Sequence, residues 1–365
     1  MLNELCIAPN INSANFLDFQ YGSQIAKLEN YLNNSIKPAI ALLTEGEEES
    51  AFLPFRKALY SMTANFKAGQ IVDMGHVNAG AVGITEVVDQ LQKKGIFTVI
   101  ISRSELLPHA LLRAYSTTRK PVHLSLAESR LDYEWQRNEE KKNLLDLLIP
   151  YYPEILTRLS CLGYQSYFVD ERVLNMLRML HFEAHRLGVL RNNMPEVEPI
   201  VRDSDIFGLN LCSLNFTDSP GAVHVNPNGF SAAEACQIAR YAAMSDRLSC
   251  IGLYGYAPEE DVKGLTALLL AQMFWYIVQG FQQRKNEFPL LPEDLTRYEV
   301  HLSTGSVPVA FFKSQRSERW WFYVAPQRNS TSLDPEGLIS CSYDDYLKTC
   351  SGDIPDRLLL ALERE

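Results

Sequence analysis

Two histidines and one cysteine are the first residues to weigh for chemistry. In His181-Phe-Glu-Ala-His185 a helix would set two imidazoles on one face at i, i+4, the spacing by which zinc proteases hold their metal. Phe182 stands where the general-base glutamate should follow the first histidine, so the match fails at the residue that does the work. Cys212 closes an apolar run, and a thiol there becomes a nucleophile only if a base lies beside it. His224, in GAVHVNPNGF, is the nearest histidine downstream; without it in place Cys212 reads as a buried, inert thiol. His123 sits inside the run PVHLSL and reads as packed and hydrogen-bonded. No GxSxG elbow, GxxxxGK[ST] loop or GxGxxG fingerprint occurs, which removes the main support for α/β-hydrolase, P-loop and dinucleotide chemistry. The segment SQRSERWWFYV joins arginines to Trp320 and Trp321, and reads as a strand with cation–π packing.

The elements that must position such residues follow from pattern and composition. The 365 residues are 46% hydrophobic and 21% charged, a balance that excludes a disordered or low-complexity chain. A net charge of -10 repels a polyphosphate backbone, so nucleic acid is not an expected partner. Seven cysteines, odd in number and never spaced as CxxC, fit neither a disulfide framework nor a zinc knuckle. No basic leader with an apolar core opens the chain, and Leu265 to Val278 is too short to cross a bilayer. The expectation is a cytoplasmic protein with no membrane partner. From residue 38 to 285 apolar runs at 38–43, 70–75, 97–101, 121–126, 164–169, 206–214 and 248–255 alternate with helical stretches at about 54–66, 84–94, 105–116, 141–149, 172–186, 231–244 and 262–285. That alternation predicts βαβ units and a mainly parallel sheet, with chemistry at the carboxyl ends of the strands. Ser231 followed by Glu234 predicts a capping box at one helix start. Beyond NEFPLLPEDLTRY the runs YEVHLS, VPVAFFK and RWWFYV are β-branched and aromatic, which predicts antiparallel hairpins, with short helices near 343–349 and 355–363 closing the chain. The division drawn is an αβα unit over residues 1–285 and a small β-rich extension over 286–365 packed on it.

Taken in order, RKALYSMTANFKAGQIVDMGHVNAG, TVII with SRSELLPHALLRAY behind it, VHLSLAESRLDY, GYQSYFVD, FEAHRLGVLR, EVEPIVRDSDIFGLNLCSL and NPNGFSAAEACQIARYA resemble the arginase/agmatinase/formimidoylglutamase (ureohydrolase) superfamily. The similarity is greatest to formimidoylglutamase-like members of Bacteroidetes-type bacteria and spans about residues 38 to 285. It implies a three-layer αβα arginase-like fold around an eight-stranded parallel sheet. An active relative hydrolyses a guanidino or formimino group with two manganese ions that share a bridging hydroxide.

Residue by residue, the resemblance also implies that the ligands are largely gone. The family's GGDHS segment falls on Ser102 to Leu106, so Glu105 stands at the histidine. Its DAHxD segment falls on Glu128 to Asp132, which keeps a carboxylate at each end and places Arg130 at the histidine. Its SFDxD segment falls on Gly208 to Cys212, where Asn210 and Cys212 replace aspartates, and its substrate-binding glutamate falls on Gly255. Three carboxylates and a fixed guanidinium do not balance two divalent cations. Arg130 and its carboxylate neighbours then read as a solvated salt-bridge cluster at the mouth of the site; the alternatives are a guanidinium that takes a cation's place and holds the remaining carboxylates by charge-assisted hydrogen bonds in a repurposed small-molecule pocket, and residual catalysis with an unusual metal arrangement. The reading is a ureohydrolase-fold protein whose binuclear site and catalysis are lost and which binds or assembles, with no catalytic residue and no cofactor. A small molecule in the crevice and a homo-oligomer are its expected partners. The alternative is an active hydrolase of the formimidoylglutamase or arginase type, which would need Mn²⁺.

Overall fold

Eight strands lie side by side in parallel; the central ones are short apolar runs buried on both faces, while the edge strand Glu183–Arg186 is polar and only partly buried. The computed structural model describes residues 2–118, 120–135, 143–288, 290–302, 308–323 and 337–363. In chain order the strands of the large sheet are β1 (Cys6–Ile7), β2 (Ala26–Lys27), β3 (Ile40–Glu45), β4 (Ile71–Val77), β5 (Phe97–Ser102), β6 (Val122–Ala127), β7 (Leu156–Tyr164), β8 (Glu183–Arg186), β9 (Ile206–Asn210) and β10 (Cys250–Tyr254). Their spatial order is β1-β4-β3-β5-β10-β9-β6-β7-β8, with β2 beside β4. Only β1 runs antiparallel to its neighbour. The eight strands from β4 to β8 are the parallel sheet that the resemblance implies.

Period-two alternation sends neighbouring side chains into different layers. Ile40 and Leu42 of β3 enter a core covered by the helices Leu53–Ser61, Ala232–Ala243 and Leu265–Gln282. Ala41 and Leu43 enter a second core, under Gly80–Lys93 and Leu107–Ser116. The capping box at Ser231 is present: its N–H donates to Glu234 Oε2 at 2.7 Å, and its Oγ accepts from the Glu234 N–H at 3.3 Å. Leu265–Gln282 is a core helix, with Leu269, Leu270, Met273, Phe274 and Ile277 buried. Among the described residues no helix is long and apolar enough to cross a membrane. All seven cysteines are free thiols, six of them buried and Cys350 exposed.

Several boundaries differ from the sequence reading. The strand expected at 164–169 is instead β7, which begins eight residues earlier and stops at Tyr164, where Ser166–Phe168 turns as a 3₁₀ helix. The helix expected over 172–186 ends at Met179. His181 takes a left-handed φ of 55°, and the chain re-enters the sheet as β8. The two histidines therefore never share a helix face, and the metal spacing is lost with it. The described part of the helix expected at 141–149 is Leu144–Leu148, since residues 141 and 142 lie outside the described residues.

The C-terminal runs form a separate antiparallel sheet of β11 (Leu295–Val300), β12 (Val309–Ser314), β13 (Trp320–Tyr323) and β14 (Leu338–Cys341). Val307 and Val324, counted in the expected strands, lie outside the described residues. Trp320, Trp321 and Phe322 are buried. Trp320 stacks on Tyr346 of the helix Tyr343–Ser351, with ring centroids 4.8 Å apart, while Trp321 lies under the guanidinium of Arg202 at 4.8 Å. Arg202 also donates to the Trp320 carbonyl at 2.8 Å and pairs with Glu198 at 2.6 Å, tying the small sheet to the large one. The cation over Trp321 thus comes from a distant helix and that over Trp320 is Lys313 of β12, at 5.9 Å, rather than the arginines within SQRSERWW.

Candidate functional site

Four neighbouring strands, β5, β10, β9 and β6, end on one edge of the sheet, and each delivers a side chain or a turn to the same place. There a cavity of about 360 Å³ is lined by Glu105, Glu128, Arg130, Asp132, Asn210, Cys212 and His224, with Leu126, Leu131, Leu144 and Leu145 among its apolar walls. Six of the seven residues singled out from the sequence therefore share one crevice. Gly255, the seventh, follows β10 and lies directly behind Asn210.

Glu128 is the centre of this arrangement. It is buried, and each of its oxygens is approached by a donor. Tyr254 Oη donates to Oε1 at 2.6 Å, Asn210 Nδ2 donates to the same oxygen at 3.3 Å, and the Cys212 thiol points at Oε2 from 3.7 Å. Removal from water dominates over these contacts and, helped by the charge of Glu105, pushes the carboxyl up to about 8. At neutral pH Glu128 is therefore predominantly a neutral acid. Burial beside Glu128 in turn raises Cys212 well above the usual thiol range, so its sulfur stays protonated. Ser129 Oγ lies 3.5 Å from that sulfur, whose other side-chain partner among the described residues is the Glu128 carboxyl. His224 turns outward and pairs with Glu105 Oε2 at 3.4 Å. The reading of Cys212 as an unactivated thiol matches this geometry.

Arg130 departs from expectation. It does not bridge Glu128 and Asp132; among the described residues it makes no ion pair with either within 4.0 Å. It is exposed, with its guanidinium over the Phe168 ring at 4.1 Å. The turn Ser166–Phe168, which replaced the expected strand, is what offers this aromatic face. Asp132 is exposed at the outer lip, where partial burial raises its carboxyl and Arg130 opposes that shift.

Gly255 has a φ of +75°, and a Cβ built on it would lie 2.6 Å from Asn210 Oδ1. That oxygen is committed, accepting from the Cys212 N–H at 3.1 Å. A side chain at 255 would have to displace the cap of the turn that holds Cys212. Tyr254 is the functional neighbour that sequence reasoning missed. Its signal was present: a tyrosine ending a wholly apolar central strand must find a partner for its hydroxyl, because a buried unpaired hydroxyl is costly.

The donor set does not fit two manganese ions. Glu128 accepts from the Tyr254 hydroxyl and the Asn210 amide on one oxygen and faces the Cys212 thiol with the other, Asn210 presents its N–H₂ rather than a carboxylate, and Cys212 is a thiol, not a thiolate. Among the described residues no group of three or more His, Cys, Asp or Glu converges to hold a metal ion.

An open parallel sheet of eight strands with a crevice at the carboxyl ends of its central four, flanked by helices on both faces, is the arginase-type αβα fold. Solved structures agree with that class. Formiminoglutamase of Trypanosoma cruzi with Mn²⁺ superposes with a TM-score of 0.60 at 15% identity, covering 68% of this chain and 94% of that one. Formimidoylglutamase of Bacillus subtilis gives 0.59 at 15%, covering 68% and 89%. The agmatine ureohydrolase of Thermoplasma volcanium gives 0.55 at 12%, covering 73% and 94%. No family model matches the sequence, and no curated protein matches it at sequence level. The chain has the ureohydrolase fold, and the arginase-family resemblance of its motifs is matched by the architecture that carries them.

Proposed function

We propose that this protein is a ureohydrolase-superfamily relative in which a hydrogen-bonded acid has taken the place of a binuclear metal centre, and which binds a small polar molecule in the crevice without hydrolysing it. One observation carries the reading: Glu128, buried at the centre of the crevice, is engaged by Tyr254, Asn210 and Cys212, so the carboxyl group best placed to hold a cation is already committed to protein donors. Hydrolysis of a guanidino or formimino group needs a hydroxide made at neutral pH, which a divalent pair supplies by lowering the pKa of bound water. Here no side chain substitutes for that step, because the thiol is held protonated and Glu128 is itself an acid. Asn210 is committed to Glu128, Glu105 and the Cys212 N–H, so the pocket is suited to a ligand with a cationic or donor group toward Glu105 and Asp132.

The test is metal analysis of protein purified without chelator, joined to a Mn²⁺ titration and a urea and glutamate release assay over guanidino and formimino substrates. The expected result is substoichiometric metal and no turnover. About two manganese ions per chain together with turnover would restore the alternative, an active hydrolase of the formimidoylglutamase or arginase type.

A further inference from the structure

The small C-terminal sheet has two edges, and the molecule treats them differently. On β14 the outward-facing backbone groups are closed by side chains: Asp203 Oδ2 accepts from the Ser340 N–H at 2.9 Å, and Arg357 Nη1 donates to the Ser340 carbonyl at 2.8 Å. On β11 nothing comparable is found among the described residues. The Gln315 N–H donates to the Asp294 carbonyl at 2.9 Å, immediately ahead of the register pair Leu295 and Ser314. The alternation of an antiparallel ladder then turns the N–H and C=O of Thr296, Tyr298 and Val300 toward β12 and those of Leu295, Arg297 and Glu299 outward. Among the described residues β11 pairs with β12 alone, and these outward groups form an open edge. Such edges recruit another strand unless they are blunted.

The charges on this edge choose the strand. Arg297 and Glu299 lie two residues apart on one face, 60% and 45% exposed, and pair with each other at 2.6 Å. An edge of one sign repels a copy of itself; this one carries both signs and is its own complement. We infer that β11 pairs antiparallel with β11 of a second copy of this chain about a two-fold axis through Tyr298. In that register Arg297 and Glu299 exchange both main-chain hydrogen bonds with Glu299 and Arg297 of the other copy, and each side chain faces its opposite. Centring the axis on Arg297 or on Glu299 would instead set like charges against each other, so the charge pattern selects one register. The product is a continuous eight-stranded sheet with the Tyr343–Ser351 helices of both copies on the same face. A two-fold interface of this kind is isologous and closed, so it stops at a dimer.

Sedimentation velocity of the full chain from about 1 to 200 µM, the range in which a small interface associates reversibly, tests the inference. The wild type is expected to pass from monomer to dimer. Arg297→Glu and Glu299→Arg each convert two attractive cross-strand pairs into repulsive ones, and each alone should raise the midpoint roughly thirtyfold. An equimolar mixture of the two variants should dimerise at least as tightly as wild type, because one carries two acids and the other two bases on the edge. Arg297→Pro, which removes an outward N–H without touching the ladder to β12, should stay monomeric with an unchanged far-ultraviolet spectrum. The inference is overturned by a wild type that remains monomeric throughout, by a dimer whose midpoint neither charge variant moves, or by a mixture no tighter than its components.

Discussion

Replacing Glu128 by Gln keeps the shape and nearly all the hydrogen bonds of the protonated acid while removing its ability to ionise. Tyr254 and Asn210 would still donate to Oε1, and the amide nitrogen would face the Cys212 sulfur. In wild type the folded carboxyl titrates at about 8 against 4.5 in the unfolded chain, so between those values the folded state holds a proton that the unfolded state has lost. Stability must therefore fall as pH rises through that window, by about 1.4 kcal/mol per pH unit, to a limit of about 5 kcal/mol above pH 8. Water reaching the ionised group would reduce this to about 2 kcal/mol or more. The groups facing Glu128 are Glu105, Tyr254, Cys212 and Cys161; burial holds the thiols and the phenol protonated across the window, and Glu105 stays in both proteins, so it largely cancels in the difference. Urea denaturation of both proteins at half-unit steps from pH 4.5 to 8.5 should give curves that coincide at the acid end and diverge steadily, with Glu128→Gln the more stable at pH 8.5 by about 2 to 5 kcal/mol. Parallel curves would show that Glu128 does not titrate in this range and that burial does not hold it protonated.

Three further outcomes follow from the same contacts. Tyr254→Phe removes the shortest donor to Glu128, and should cost about 1 to 3 kcal/mol by denaturation while moving the Glu128 titration still higher, since that hydrogen bond favours the charged form. Gly255→Ala should destabilise by about 1 to 3 kcal/mol, because it combines a left-handed φ with a clash at Asn210 Oδ1, whereas Gly95→Ala, also at positive φ but with open space around it, should show only the conformational cost. Arg202→Ala takes from Glu198 one of its two arginine partners, leaving Arg319, and frees the carbonyls of Trp320 and Cys341; a loss of about 1 to 3 kcal/mol and early protease cleavage near residue 290 are expected, and unchanged protection would mean that Arg202 is not what holds the small sheet in place.

What the sequence made legible was the sheet and the ends of its central strands; what it hid was the pairing between side chains. IALLTE, FTVIIS and CIGLY are strands because nothing else suits short apolar runs buried on both faces, and the segments after them must then share one edge. That Glu105, Asn210 and Cys212 would meet in one crevice was likewise readable from position. The role of Arg130 was not, because a guanidinium goes to whichever neighbour suits it, and the Phe168 ring came into reach only when YQSYFV proved to be the end of β7 and a turn. The histidines of HFEAH misled for a related reason: helical periodicity continued past Met179 in the pattern, while the left-handed residue at His181 ended it in the chain. Tyr254 escaped because an aromatic residue in a strand reads as packing until its hydroxyl has an address.

The distribution of thiols has a practical consequence. Burial pushes Cys6 and Cys236 up to about 12 and raises Cys161, Cys212, Cys250 and Cys341 further still, so none presents a thiolate to reagent at neutral pH. Cys350 alone is exposed. A maleimide probe should therefore attach at one defined point without any cysteine being engineered away. That point lies on the helix Tyr343–Ser351, the element that packs over Tyr298 at the midpoint of the open edge. A spin label placed there turns the native chain into its own ruler: a single interlabel distance, present in the assembled form and absent on dilution, would report which edges meet.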